Sequence, residues 1–318
     1  MKTNVVFAVN QTEDRQKQLI NEFHDVQFSF FSSMKEAEEK LETADVLLTF
    51  GEDIGVSVLN RAKQLKWIHV LSAGVEKMPF SELTKRNILV SNSRGIHAIP
   101  MSEHAIWAML DDVKKASIYK GAQKKKDWVR SIKPNELTDA TVVILGTGAI
   151  GTMIAERARV FSMKTVGVNT DGRAVAAFDQ TYSLSEWKQA LQQADYVINV
   201  LPQTPQTEEL LNEDAFSLIK EGAVFINLGR GKSVVENALL HAVELGKVRH
   251  AYLDVFQQEP LPVDSPLWHH EAITITPHIS AATAFYMQRA LEIFNKNLVV
   301  FQQKKTIYTN EVQLNKGY

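Results

Sequence analysis

Three polar residues stand just behind apolar runs: Arg230 after AVFINL, Glu259 after HAYLDVF, and His278 after AITIT. Together they form the set that reversible carbonyl reduction needs. Hydride reaching a carbonyl carbon builds negative charge on the oxygen, which demands a proton donor and a fixed cation. His278 suits the acid in reduction and the base in oxidation, and a carboxylate at Glu259 would favour its protonated ring. Arg230 can hold a carboxylate and polarise the neighbouring carbonyl, because its guanidinium is planar and permanently charged. Any one of the three could be incidental, since polar residues commonly follow strands. Asp254, closing HAYLD, reads either as an acceptor for a nicotinamide amide or as a cap for the following loop.

A hydride donor has its own signature in ILGTGAIG, where Gly146, Thr147, Gly148, Ala149, Ile150 and Gly151 follow the apolar run Val142 to Leu145. Gly146 permits the tight turn, Gly148 lets backbone approach a pyrophosphate, and Gly151 lets helix pack on strand. Backbone N–H groups at the helix start then bind the phosphates. About twenty residues further on, an NAD site usually places a carboxylate for the adenosine ribose. This chain has Asn169 there, followed by Thr170, Asp171 and Arg173. Losing the carboxylate removes repulsion against a 2′-phosphate, and Arg173 could supply a countercharge, so NADP is favoured over NAD. Asp171 argues the other way if it turns inward to the ribose.

These residues need a parallel sheet to carry them. NVVFAV, VQFSFF, DVLLTF, LKWIHVL and ILVSN alternate with polar helix-period segments, and a second alternation runs through TVVILG, TVGVN, YVINVLP, AVFINLG, HAYLDVF and AITITPH. That rhythm predicts α/β architecture with two parallel sheets. Between them, Pro100 to Lys126 reads as one long helix whose lysines form a solvated face. Asn212 can cap the helix NEDAFSLIKEG, with Gly222 and Gly246 closing the ends of two helices.

Composition narrows the setting. The chain has 318 residues, 45% hydrophobic and 23% charged, with a net charge of -2 and no cysteine. Two domains are expected at that length, and nothing pulls the chain toward nucleic acid. Absence of cysteine fits a reducing cytoplasm. VVFAV is too short for a signal segment, and no apolar run reaches the roughly 18 residues of a membrane span, so a cytoplasmic location with no membrane partner is expected. The histidines besides His278 lack metal-ligand spacing such as HExxH, and no metal is expected.

Over nearly its whole length the chain resembles the D-isomer-specific 2-hydroxyacid dehydrogenases, most closely the short glyoxylate/hydroxypyruvate reductase branch. The stretches that carry this are LSAGVEKM, SRGIHAIPMSEHAIWAML, ILGTGAIG, VLPQTPQTEELLNEDAFSLIKEGAVFINLGRGKSVVENALL, YLDVFQQEPLPVDSPLW and ITPHISA. The resemblance implies a discontinuous flavodoxin-like substrate domain, residues 1–99 plus 286–318, and a dinucleotide-binding Rossmann domain, residues 100–285, with the active site in the cleft between them. It makes Arg230, Glu259 and His278 the catalytic set. Ser72, Ala73, Gly74 and Val75 match the loop whose amides hold the substrate carboxylate together with Arg230. Leu201, Pro202 and Thr207 match a segment beside the cofactor, and Ser280 lies by the nicotinamide. A homodimer is implied, built around Pro100 to Trp128. NADP-using reductases of this branch often carry arginine where Thr170 stands, which weakens the expected phosphate grip.

The expected reaction is NAD(P)H-dependent reduction of a small 2-oxo acid to the D-2-hydroxy acid. The same chemistry on 3-phosphoglycerate or a bulkier 2-oxo acid is the alternative, and a dinucleotide-sensing corepressor-like binding protein a distant one. Substrate preference would depend on residues such as Phe50, His97, Met101, Trp268 and Met287, which sequence does not rank.

Overall fold

The computed structural model describes residues 2–75 and 77–314. Its strands are β1 (Thr3–Phe7), β2 (Val26–Phe30), β3 (Val46–Thr49), β4 (Trp67–Val70), β5 (Leu89–Asn92), β6 (Thr141–Leu145), β7 (Lys164–Asn169), β8 (Gln180–Ser183), β9 (Tyr196–Asn199), β10 (Ala223–Asn227), β11 (Val248–Leu253) and β12 (Ile273–Ile275). The α-helices are α1 (Glu13–Glu22), α2 (Met34–Ala37), α3 (Val56–Arg61), α4 (Phe80–Lys85), α5 (Ala98–Lys114), α6 (Ala116–Lys124), α7 (Ala149–Val160), α8 (Trp187–Leu191), α9 (Glu213–Leu218), α10 (Glu236–Glu244) and α11 (Tyr286–Gln302). The chain divides into two compact units, Met1–Ile96 with Ala284–Tyr318, and His97–Thr283. No helix of the described residues is long and apolar enough to cross a membrane.

The first unit is a five-stranded parallel sheet in the order β2-β1-β3-β4-β5, the flavodoxin-like arrangement. Strands β3 and β4 are buried at every residue, as a parallel sheet covered on both faces requires. Helix α11 turns Ala290, Leu291, Phe294 and Leu298 inward, positions three and four apart on one face. Phe294 stacks on Trp67 at 5.4 Å and meets Phe7 edge-on at 5.7 Å. His69 is sealed in β4 between the hydroxyls of Ser91 (2.8 Å) and Ser93 (3.3 Å), and burial pushes its pKa down to about 3.

The second unit is a seven-stranded parallel sheet, β12-β11-β10-β9-β6-β7-β8. Chain order reverses direction between β6 and β9, the switch point where open α/β sheets place ligands beyond their carboxyl ends. β8, with the sequence QTYS, is a polar, half-exposed edge strand outside the apolar rhythm.

Two helix expectations are corrected. The segment read as one helix from Pro100 to Lys126 is two, because Lys115 adopts a left-handed conformation (φ 57°) that ends α5 and starts α6 at a new angle. Buried carboxylates fix that break: Asp111 accepts from the Ser117 amide at 2.9 Å, and Asp112 pairs with Lys115 at 3.3 Å. Lys115 is thus a half-buried partner, whereas Lys114, Lys120 and Lys124 to Lys126 are exposed. Asn212 does cap α9, accepting from the Ala215 amide, and Gly246 (φ 73°) follows the end of α10. Gly222 (φ 72°) instead makes the turn into β10, because α9 already stops at Leu218.

At the amino ends of the second sheet, Tyr196 donates to Asp112 at 2.7 Å while Arg249 pairs with the same carboxylate. Burial alone would raise the Asp112 pKa, but Arg249 and Tyr196 outweigh it and hold it below the usual carboxylate range.

Candidate active site

The glycine turn follows β6 at the switch point. Gly146 has φ +110°, and a Cβ at Gly151 would lie 1.8 Å from the Gly146 carbonyl oxygen, so helix α7 closes on the strand only with glycine there. Around Gly148, by contrast, an added Cβ would meet nothing within 4 Å. The N-terminus of α7 therefore offers unobstructed backbone amides from Gly148 through Ala149 and Ile150, which suits a pyrophosphate. A dinucleotide fits these residues.

At the end of β7, the Asn169 side chain is spent within the protein. Its amide donates to the Arg173 carbonyl (2.9 Å) and to Thr147 Oγ1 (3.3 Å), while its oxygen accepts from the amides of Gly172 (2.7 Å) and Asp171 (3.3 Å). No hydrogen-bonding capacity is left for a ribose. What faces solvent is Thr170 with Asp171 and Arg173, the latter two joined by a 2.8 Å ion pair and each more than half exposed. The Leu201 side chain packs in the core, and the Thr207 hydroxyl donates to the Pro202 carbonyl at 2.7 Å, so these residues shape the turn after β9.

Glu259 and His278, which follow β11 and β12, are brought together. Glu259 Oε2 lies 2.6 Å from His278 Nδ1, and Oε1 accepts from the Phe256 amide at 3.0 Å. The carboxylate thus orients the ring and is itself held by backbone. His278 has φ 53°, a left-handed conformation that costs a side-chain-bearing residue about 1 kcal/mol and persists only where neighbours over-determine it. Those neighbours centre on Asp254, which is fully buried. Its carboxylate accepts from Thr276 Oγ1 (2.6 Å) and the amides of Ile279 and Ser280 (both 2.9 Å), and its carbonyl accepts from the His278 amide (2.8 Å). Burial alone would raise the Asp254 pKa, but the Ser280 and Thr276 hydroxyls and the two amides hold it below the ordinary range. The loop that Asp254 caps is the one after β12, from Thr276 to Ser280, in place of the loop directly after β11 that the sequence suggested. Glu259 and His278 also wall a concavity of about 440 Å³ together with Phe256, Leu261, Trp268 and Pro277.

Arg230 sits in the turn after β10, its Nη1 donating to the Gly229 carbonyl at 2.9 Å. Sequence reasoning missed what shapes that turn. Asn199, buried at the end of β9, donates to Asn227 Oδ1 (2.9 Å) and Ser233 Oγ (2.7 Å), and Ser233 Oγ donates to the Arg230 carbonyl (2.6 Å). The available signal was a lone asparagine closing each of two apolar strands, YVIN and AVFIN. Gly231 is required too, since a Cβ there would lie 1.8 Å from the Phe256 carbonyl oxygen. The Arg230 turn and the Glu259 loop therefore touch backbone to backbone. His97 lies near enough to Arg230 to feel its charge; burial first, then Arg230, lowers its pKa.

In the first unit, Ser72, Ala73, Gly74 and Val75 form the loop after β4. Ser72 Oγ reaches the Gly74 carbonyl at 2.8 Å, and Asn92 Nδ2 holds the Ala73 carbonyl at 2.7 Å. Ser72, Gly74 and Val75 border a concavity of about 480 Å³ with Phe50 and Lys77.

A family model described as D-isomer specific 2-hydroxyacid dehydrogenase, NAD binding domain, matches residues 106–280, more than half of the chain. The chain belongs to the D-isomer specific 2-hydroxyacid dehydrogenase family. Glyoxylate/hydroxypyruvate reductase B of Enterobacter sp. (strain 638) is 30% identical over 292 residues, covering 89% of this chain and 90% of that relative. D-3-phosphoglycerate dehydrogenase 2, chloroplastic, of Arabidopsis thaliana is 31% identical over 83% of this chain, which spans only 43% of that longer protein. Among solved structures, a D-isomer specific 2-hydroxyacid dehydrogenase family protein from Aeromonas salmonicida subsp. salmonicida A449 is 32% identical with a TM-score of 0.84, covering 99% of this chain and 100% of that one. This 2-hydroxyacid dehydrogenase family is one of oxidoreductases, and its matched NAD-binding region contains the glycine turn, Arg230, Glu259 and His278.

Proposed function

We propose that this chain is an NAD(P)H-dependent reductase of small 2-oxo acids of the glyoxylate and hydroxypyruvate type, giving the D-2-hydroxy acid where the product is chiral. The 2.6 Å pairing of His278 with Glu259, in a member of this family, is the observation that carries the reading. When bound, the dinucleotide supplies hydride to the carbonyl carbon. Because Glu259 engages Nδ1, the proton for the carbonyl oxygen leaves from His278 Nε2. Glu259 keeps the ring oriented and offsets the charge of the imidazolium. Arg230 holds the substrate carboxylate and polarises the adjacent carbonyl, and in the first unit the amides of the loop from Ser72 to Val75 suit a carboxylate. The similarity to glyoxylate/hydroxypyruvate reductase B along nearly the full length of both chains supports the small-acid preference. Similarity to a 3-phosphoglycerate dehydrogenase supports a second reading, oxidation of 3-phosphoglycerate by the same residues.

We infer NADPH as the preferred donor. No carboxylate ends β7, and Arg173 is exposed nearby. Its pair with Asp171 is a solvent-screened surface ion pair and so offers little resistance to a 2′-phosphate that makes charge-assisted bonds to the same guanidinium. A homodimer built on the segment around α5 and α6 is part of the same reading, supported by the exposed Trp107 (42%), Ile118 (51%) and Trp128 (88%).

The deciding experiment measures NADPH and NADH oxidation with glyoxylate, hydroxypyruvate, pyruvate and phenylpyruvate, using His278→Ala as control. The expected result is NADPH-linked turnover of the two smallest hydroxylated or aldehydic acids, reduced about 10²- to 10⁴-fold in the variant. Reduction of NAD+ or NADP+ with 3-phosphoglycerate, in a parallel assay and without turnover of the 2-oxo acids, would replace the substrate assignment. Tight cofactor binding without turnover of any of them would leave a binding-only role.

A further inference from the structure

We propose that His104 and Thr276 are positioning residues, forming with the buried Asp254 a chain from helix α5 that holds the His278 loop in its left-handed conformation. The inference rests on the proposed role of His278.

Thr276 is the centre of the chain. Its hydroxyl proton is committed to Asp254 Oδ1 at 2.6 Å, so only a lone pair remains to meet His104 Nε2, 3.4 Å away. The His104 ring therefore carries its hydrogen on Nε2 and donates, a long hydrogen bond with one possible direction. The neutral ring is the form this site favours: burial lowers the His104 pKa, against an opposing pull from Asp254. Packing fixes the ring in place. His104 meets Trp107 edge-on at 5.0 Å, one turn further along α5, and Trp107 in turn meets Tyr252 of β11 edge-on at 5.8 Å. The carboxylate so held accepts the amides of Ile279 and Ser280, and the Asp254 carbonyl accepts that of His278. Three consecutive amides are thereby pinned on either side of a residue with φ 53°. Neither His104 nor Thr276 belongs to the set assigned to substrate or cofactor. Both act through Asp254 and the loop it holds.

Thr276→Val removes the hydroxyl at nearly constant shape, and Thr276→Ser restores it. With NADPH and glyoxylate, the valine variant is expected to lose about tenfold or more in kcat with KM within about twofold of wild type, as misplacement of an acid does. The serine variant is expected to recover most of that loss. His104→Phe, which keeps the ring packing, is expected to cost less alone and nothing further in the Thr276→Val background, because both act through one contact. Amide hydrogen exchange at Ile279 and Ser280, followed without substrate, is expected to quicken about tenfold in Thr276→Val and not in Thr276→Ser. Exchange that behaves so in a protein with no 2-oxo acid turnover supports the chain while removing the reductase reading. Unchanged exchange and kcat in Thr276→Val, or fully additive losses in the double variant, overturns it.

Discussion

Glu259 lies between the Phe256 amide and the His278 ring, one carboxylate oxygen on each, at 3.0 and 2.6 Å. Glutamine at this position could keep either contact but not the charge. Glu259→Gln is expected to lower kcat for 2-oxo acid reduction on the order of 10²-fold, with cofactor dissociation constants unchanged, because the amide neither stabilises imidazolium nor selects the Nδ1–H tautomer as strongly. Steady-state kinetics beside a fluorescence titration of NADPH checks this; equal kcat in the two proteins would remove Glu259 from the mechanism.

Asp171 restrains the guanidinium assigned to the 2′-phosphate. Asp171→Asn frees Arg173 and removes like-charge repulsion, so the ratio of kcat/KM for NADPH over NADH should rise about tenfold. A ratio that stays constant or falls would show Asp171 serving the cofactor by another route, as a ribose acceptor would.

His69 is held neutral by burial, with a pKa near 3 against about 6.5 in an unfolded chain. An unfolded state that binds the extra proton gains on the fold as acidity increases. This contribution to stability is whole above about pH 6.5 and is lost as pH falls toward 3, at up to about 1.4 kcal/mol per pH unit. Denaturant unfolding of wild type and His69→Gln at pH 7.5 and pH 5 should show their stability difference narrowing at the lower pH. A pH-independent difference would refute the assignment.

Asp112 carries three partners, Arg249, Tyr196 and Lys115, in a nearly closed site, with 4% of its side chain exposed. Asp112→Ala strands Arg249 and the Tyr196 hydroxyl and is expected to cost about 3 kcal/mol. Since the cluster lies at the amino ends of the strands, kcat should hold at temperatures where the variant is folded. Thermal unfolding paired with kinetics separates the two effects.

The sheets were legible because their strands are unbroken apolar runs, and a parallel strand buried on both faces has no other way to look. Polar residues following such runs were equally visible, which is why Arg230, Glu259 and His278 could be named before their geometry was known. β8 escaped notice because QTYS, an edge strand, has no apolar face to advertise it. The break at Lys115 escaped because lysine carries no sign of a left-handed conformation; the cause lies in Asp111 and Asp112, whose partners are distant in the chain. Asn199 and Ser233 meet only when β9 and β10 are adjacent, so their grip on the Arg230 turn is a property of pairing and not of any local stretch. Asn169 illustrates a subtler gap. Its identity is plain in the sequence, whereas the full occupation of its amide is set by the path of the chain from Asp171 to Arg173.

The second sheet thus has two rims with different tolerances. Along the carboxyl rim, exposed groups such as Asp171 and Arg173 can be exchanged at little thermodynamic cost, so preference for donor or acceptor is free to drift under selection. Along the amino rim, the Asp112, Tyr196 and Arg249 cluster acts as a reservoir of robustness that such drift never touches. A chain built this way is an evolvable scaffold: altered specificity and retained foldability are inherited from opposite rims of one sheet.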